Sequence, residues 1–392
     1  MRRLPFEYAV RNLGRRPLRT ALAALSAAVA AGALTAATSF GRGVDRGFSG
    51  AAQADAAIFL SAVAERDVVR STTVSALPEL IVANVRGVKH VHGVPAVSGE
   101  LHLGTYVRLG ERAPDSSPDP EYPAFVRGVS DRAFLVHEAV TLLEGRPPGV
   151  GEVMVGRLAA RQAGAPEDAF AVGRSLRFET GVFRVSGRFA APGTTIESEL
   201  WTPVDALKGL VRRDDLSATF ARMEDPADLE DFELFAKRRL DLELTVVPST
   251  VYYRELADYL APLARLAWLM AGLVAIAAVC GGANVFNAAV QDRLGELAVL
   301  RTMGYPVRAL ASSLLSEAAL VAAAGGLVGL KLAEAWTSGA AVRLAMSAVE
   351  LRVDAASTLT GLLGSVLLGV AGAAPAVWRA ARLSPATALK EA

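Results

Sequence analysis

The sequence predicts an α-helical membrane protein with four transmembrane helices and a large extracytoplasmic α+β domain inserted between the first and the second. Three observations carry this reading. Apolar residues make up 52% of the 392 residues, and the mean hydropathy is +0.33, above the norm for soluble chains. The excess is concentrated, because Thr20–Gly41, Leu266–Gln291 and Ala355–Trp378 contain no Asp, Glu, Lys or Arg. Between the first two of these stretches lie about 220 residues of ordinary globular composition.

Each charge-free stretch exceeds the ~20 residues that a helix needs to cross a bilayer. A fourth stretch, Ala309–Leu330, is interrupted only by Glu317 and is read as a further span. Flanking charge sets the orientation, since cytoplasmic ends are rich in Lys and Arg. Arg2, Arg3, Arg11, Arg15, Arg16 and Arg19 precede the first span, so residues 1–19 are expected in the cytoplasm. The order that follows is span 20–41, outer domain 42–248, stalk and span 249–291, inner loop 292–308, span 309–330, outer loop 331–354, span 355–378 and inner tail 379–392. Arg293, Arg301 and Arg308 in the loop, and Arg379, Arg382 and Lys390 in the tail, make every inner segment basic. The alternative for the first span is a cleaved signal peptide, to which Arg15–Arg16 lends a twin-arginine flavour. The apolar run is longer than the 7–15 residues of an ordinary signal core, and Pro17 follows the arginine pair directly.

Within the outer domain, strand patterns at Asp55–Leu60 and Leu101–Leu109 bracket a helix at Pro78–Arg86, with proline in its first turn. A second set follows as strand Ser217–Met223, helix Pro226–Leu240 and strand Glu243–Pro248. Together they predict an α/β lobe. Short strands at Glu152–Gly156, Ser175–Glu179, Val182–Phe189 and Glu199–Thr202, separated by Gly and Pro turns, predict a β-rich insert over about 150–215. Ala113–Pro123, with four prolines, is a surface loop. Ser249 offers an N-cap to a helix running into the second span, with Pro262 expected to kink it.

The inner loop is short and amphipathic. Leu294, Leu297 and Leu300, with Ala298, share one helical face while Arg293 and Glu296 point elsewhere, and Gly304 stops the helix. Glu317 sits about 12 Å into the third span at 1.5 Å per residue, where a carboxylate must face protein or water. A packing partner in Asn284 or Asn287 of the second span is expected, in preference to a proton or cation relay. Gly325-x-x-x-Gly329 and Ser365-x-x-x-Gly369 allow close helix approach, within one subunit or across a dimer.

Other chemistry is narrowed by what the sequence lacks. The net charge of +1 gives no global attraction to nucleic acid, and a single cysteine, Cys280, leaves no multi-cysteine metal site. His90-Val91-His92, with His102 nearby, has no placed third ligand. No Gly-x-Ser-x-Gly, His-Glu-x-x-His or phosphate-binding Gly-x-x-x-x-Gly-Lys-Ser/Thr motif is present, so no catalytic, cofactor or metal site is assigned.

The inner-loop run Gly295-Glu296-Leu297-Ala298-Val299-Leu300-Arg301-Thr302-Met303-Gly304, then Ser316-Glu317-Ala318 and Gly325-Gly326-Leu327-Val328-Gly329-Leu330, resembles the permease family of ABC systems that includes the macrolide exporter, the lipoprotein-releasing complex and the division-linked permease. The N-terminal Arg11-Asn12-Leu13-Gly14-Arg15-Arg16-Pro17 and the tail Pro375–Leu389 are similar too, and more loosely so are Glu144–Pro148 and Gly151–Gly156. The resemblance implies a type VII permease in a bacterial inner membrane with both termini cytoplasmic. It implies a cytoplasmic ABC ATPase as partner, binding ATP and Mg on a separate chain, and a coupling helix with Gly295, Glu296, Leu297, Leu300, Arg301 and Gly304. Leu297 and Leu300 are expected to enter the ATPase groove. A second permease subunit (a homodimer in preference to a heterodimer), membrane lipids and a periplasmic adaptor complete the expected partners. The implied work is export or extraction of a lipid, lipoprotein or peptide; the alternative is a regulatory scaffold that activates an envelope hydrolase without transport.

Overall fold

The computed structural model describes residues 16–64, 67–110, 120–337, 340–344 and 347–382. The basic residues Arg2, Arg3, Arg11 and Arg15, most of the proline-rich loop, and the tail from Leu383 with Lys390 lie outside them. Two compact units form. One comprises Gly43–Leu260 together with Ala341–Glu350, and the other is built from the long apolar helices.

The globular unit begins with β1 (Ala56–Ser61), α2 (Leu77–Asn84, after the spanning helix α1 at Pro17–Ser49), the short hairpin β2 (His90–Val91) and β3 (Val94–Pro95), and β4 (Val97–Leu109). It continues through β5 (Tyr122–Val129), α3 (Ala133–Val136), β6 (Thr141–Gly145), β7 (Glu152–Gly156), α4 (Ala159–Ala163), β8 (Ser175–Phe178) and β9 (Gly181–Ala190). Then come β10 (Leu200–Pro203), α5 (Val204–Val211), β11 (Ala218–Arg222), α6 (Leu229–Arg238) and β12 (Leu244–Pro248). The sheet runs β12-β1-β11-β4-β5-β10-β7-β9-β6, and β8 bridges β4 and β9. That bridge closes β4, β5, β10, β7, β9 and β8 into a ring. Leu101, Val126, Val155, Leu176, Phe178, Phe183 and Val185 fill its apolar core, and Phe178 stacks on Phe183 at 4.1 Å between centroids.

The expected division into lobe and insert is therefore different in detail. Strand β4 belongs to both parts: Val97–Glu100 pairs with β11, and Leu101–Val107 pairs with β5. A 13-residue strand is long enough to leave one sheet and enter the next, so the β-rich part starts near residue 101 rather than 150. On the lobe side, α2 and α6 cover β1 through Phe59, Leu77, Ile81, Phe232 and Phe235. Helix α6 is set up by its ends. Asp225 and Asp228 form a reciprocal capping box just ahead of it, Glu230 and Asp231 occupy its first turn, and Lys237 and Arg238 its last, each complementing the helix dipole.

The helical unit uses α1, α7 (Ser249–Gln291), α8 (Leu294–Thr302), α9 (Val307–Thr337) and α10 (Ala355–Arg382). Among the described residues, α1, α7, α9 and α10 are long and apolar enough to cross a membrane. Helix α7 continues through Pro262. A Cβ on Gly325 or Gly329 would strike the Ala24 or Ala28 carbonyl of α1, one on Gly326 would meet Ser365, and one on Gly369 would meet Ala322. Both small-residue motifs therefore pack within one chain, α9 on α1 and α10 on α9. Replacing Gly329 by Leu should force α1 from α9 and lower the thermal unfolding temperature of the detergent-solubilised chain by several degrees, whereas Gly209→Ala, in open space within α5, should not lower it.

The connection between α9 and α10 holds an unanticipated hairpin, β13 (Ala341–Leu344) and β14 (Ser347–Glu350), which belongs to the globular unit.

Candidate functional site

The base of the helical unit gathers the residues singled out in the inner loop. Helix α8 follows α7 after a two-residue break, and Leu297 N–H donates to the Arg293 carbonyl at 2.9 Å. At its other end Gly304 takes φ +90°, a conformation that costs glycine nothing, and its N–H closes on the Arg301 carbonyl. Leu297 is 7% exposed and packs with Val290, Leu310, Leu314, Ala376 and Val377 of α7, α9 and α10, with Leu300 beside them. Arg301 lines the same crevice. Leu297 thus lacks the accessible surface expected of it, because its own chain covers the apolar face. The outward side of α8 carries Glu296, Val299 (48% exposed) and Met303 (59% exposed), and Gly295 is half-buried between the two sides.

Three ion pairs hold the start of α8. Arg16, just ahead of α1, and Arg19 of α1 both pair with Asp292. Arg293 donates to Glu317 at 2.8 Å from one guanidinium nitrogen and at 3.4 Å from the other. This corrects the expected partner of Glu317: no hydrogen bond to it from Asn284 or Asn287 occurs among the described residues, and Asn284 is exposed. The arginine reaches in from the loop because its guanidinium can neutralise and chelate a buried carboxylate, which an amide cannot. Arg16, Arg19, Asp292, Arg293 and Glu317 border a cavity of about 160 Å³ floored by Val285 and Phe286. Sequence reasoning missed Arg293 and Asp292 as structural groups; the signal was a charged pair directly after an uncharged span of 26 residues.

Breaking one partner of a buried pair costs about 3–5 kcal/mol, whereas removing both costs far less. Arg293→Met is therefore expected to destabilise the chain more than Arg293→Met with Glu317→Gln together. Thermal unfolding in detergent checks the order; equal losses would refute it.

A second concentration of charge lies where β4 passes from lobe to ring. Arg127 of β5 is 3% exposed and forks onto Glu199 at 2.7 and 2.6 Å, while its other nitrogen donates to Glu100 of β4 at 2.7 Å. Glu100 also meets His137 at 2.7 Å and His102 at 3.3 Å, so His102 serves this cluster. The Trp201 indole N–H donates to Glu199 at 2.8 Å. Burial alone would raise the Glu100 carboxyl, but the charges of His137 and Arg127 and the hydrogen bonds of both histidines hold it well below the usual range. His102 is lowered, first by burial and then by the Arg127 charge, against the pull of Glu100 and Glu199.

Both shifts are depressions, so in each case the unfolded chain binds the proton more readily and stability is lost as the pH falls. His102 contributes above its unfolded value near 6.5, and Glu100 above about 4.3. The urea midpoint of the full chain, followed by fluorescence of buried Trp201, should drop between about pH 7 and 5 and again below about 4. His102→Gln should flatten the first drop.

Comparison with known proteins places these features. Residues 20–233, more than half of the chain, match the MacB-like periplasmic core domain, and residues 268–385 match the FtsX-like permease C-terminal domain. A 125-residue stretch is 34% identical to the macrolide export ATP-binding/permease protein MacB of Nitrobacter winogradskyi; it covers 31% of this chain and 19% of that protein. The chain therefore matches about a fifth of that relative's length. Among solved structures, the periplasmic region of MacB from Actinobacillus actinomycetemcomitans aligns with 52% of this chain and 92% of its own, at 13% identity and a TM-score of 0.38. The extracellular domain of the ABC-type transporter YknZ from Gram-positive bacteria aligns with 49% and 99%, at 12% identity and a TM-score of 0.36. With a periplasmic core domain and a permease domain matched in one chain beside four spanning-type helices, this protein belongs to the MacB- and FtsX-like permease family of type VII ABC systems.

Proposed function

We propose that this chain is the mechanical transmission of an ABC system, converting ATP hydrolysis on a separate cytoplasmic ATPase into movement of the extracytoplasmic domain. The observation that carries the reading is the mounting of α8. Its apolar side is buried on α9 and α10, its start is tied to α1 and α9 by ion pairs, and its outward side is open. A helix held in this way moves with the spanning helices rather than independently of them. The docking surface on this reading is Glu296, Val299 and Met303, flanked by Gly295, Arg301 and Gly304. ATP and Mg belong to the partner. The termini lie in the cytoplasm, two copies of the chain work together, an adaptor joins outside, and the cargo is a lipid, lipoprotein or peptide.

Co-expression with a nucleotide-binding subunit from the same genome should yield a complex whose ATP hydrolysis depends on this chain. Purification of the intact chain free of any ATPase, with hydrolysis indifferent to its presence, would contradict the reading. Reporter fusions at Gly50 and Arg382 should lie on opposite sides of the membrane, with Leu200 on the side of Gly50; a cytoplasmic signal at Leu200 would overturn the topology.

A further inference from the structure

We infer that the segment Thr195–Trp201 is a yoke, a short buried stretch through which the stalk of α7 and the β13–β14 hairpin are mechanically joined inside the globular unit. The inference rests on the transmission reading above and locates its path in the outer domain.

Glu197 and Glu199, two residues apart, are both buried. Glu197 accepts from Arg157 at 2.9 and 3.0 Å, and the same guanidinium donates to Glu350 of β14 at 2.8 Å. Between them, Ser198 Oγ accepts the Ala348 N–H of that strand at 3.1 Å. Glu199 receives the Arg127 fork, and Tyr253, near the start of α7, is buried in the electrostatic neighbourhood of Arg127, Glu199 and Glu100. The backbone of the segment is pinned as well, since the Glu197 carbonyl accepts from Leu158 and the Glu199 carbonyl from Gly156, each at 2.9 Å. Just ahead of it, the Gly193 carbonyl approaches Gly50 so closely that no Cβ fits there.

The chain path gives these contacts their meaning. The hairpin is the connection between α9 and α10, Tyr253 lies on the helix that becomes the second span, and Gly50 directly follows α1. All the spanning-type helices are thus covalently continuous with groups that converge on residues 193–201. Two neighbouring buried carboxylates, each gripped by an arginine fork, form a stiff link, because a fork fixes orientation as well as distance. A displacement of the stalk then reaches the hairpin without first unfolding the ring of strands.

Hydrogen exchange on the full chain in lipid nanodiscs tests the link without any ATPase, so its failure is separable from failure of ATPase docking. Glu350→Gln weakens the hairpin end at a partly exposed position, and Tyr253→Phe weakens the stalk end; neither empties a buried arginine. Glu350→Gln should raise exchange at least fivefold in the hairpin, in 195–201 and also in 249–256. Tyr253→Phe should raise it at least fivefold in 195–201 and in 341–350. Arg239→Gln, which breaks the surface pair with Asp241, is the control and should change neither distant segment. Effects confined to the side of each substitution, or propagation equal to that of the control, would overturn the yoke.

Discussion

Replacing Arg127 by leucine is expected to cost the globular unit about 3–5 kcal/mol, the range for removing one partner from a buried ionic group. The size follows from what remains. Glu199 would keep the Trp201 N–H but lose both hydrogen bonds of the fork, and Glu100 would keep only its histidines. A carboxylate left in that position must either stay charged in an apolar setting or take up a proton, and either route penalises the fold. Adding Glu199→Gln should recover part of the loss, since a neutral amide needs no cation. Urea unfolding of the full chain, followed by Trp201 fluorescence and by proteolysis within 43–260, measures both. A loss below about 1 kcal/mol for Arg127→Leu would mean that water or another cation already serves these carboxylates.

The spans were legible because membrane crossing imposes a crude rule on the sequence: about 20 residues without charge. Thr20–Gly41, Leu266–Gln291 and Ala355–Trp378 obey it, and each lies inside one continuous helix. Local strand and helix patterns near Asp55, Pro78 and Pro226 were legible for a similar reason, since period and capping are short-range signals. Connections between distant residues were not. Arg293 stands 24 positions from Glu317, and nothing in either neighbourhood distinguishes that partner from a nearby asparagine. The ring closed by β8 depends on its pairing with β4, about 70 residues earlier, which composition does not encode. The orientation of α8 failed for a third reason. An amphipathic pattern tells which residues avoid water but not whether the chain itself or a partner covers them, and here the covering helices α9 and α10 belong to the same chain.

The outward ridge of α8 offers the most direct test of coupling. Val299 and Met303 are four apart on one helical face and exposed, with Glu296 one turn before Val299. Burying such a side chain in a partner's groove contributes on the order of 1.5–3 kcal/mol, and each 1.4 kcal/mol is about a tenfold change in affinity. Val299→Asp with Met303→Asp is therefore expected to weaken ATPase docking at least a hundredfold with the chain's own stability unchanged. Leu297→Ala, on the inner side, should cost about 2–5 kcal/mol of stability instead. The decisive measurement is the affinity of the cognate ATPase for the purified double variant in nanodiscs, beside its chain-stimulated ATP hydrolysis. Loss of both, in a chain that unfolds at the wild-type temperature, is the result this account expects; wild-type affinity and stimulation would show that α8 is not where the ATPase grips this protein.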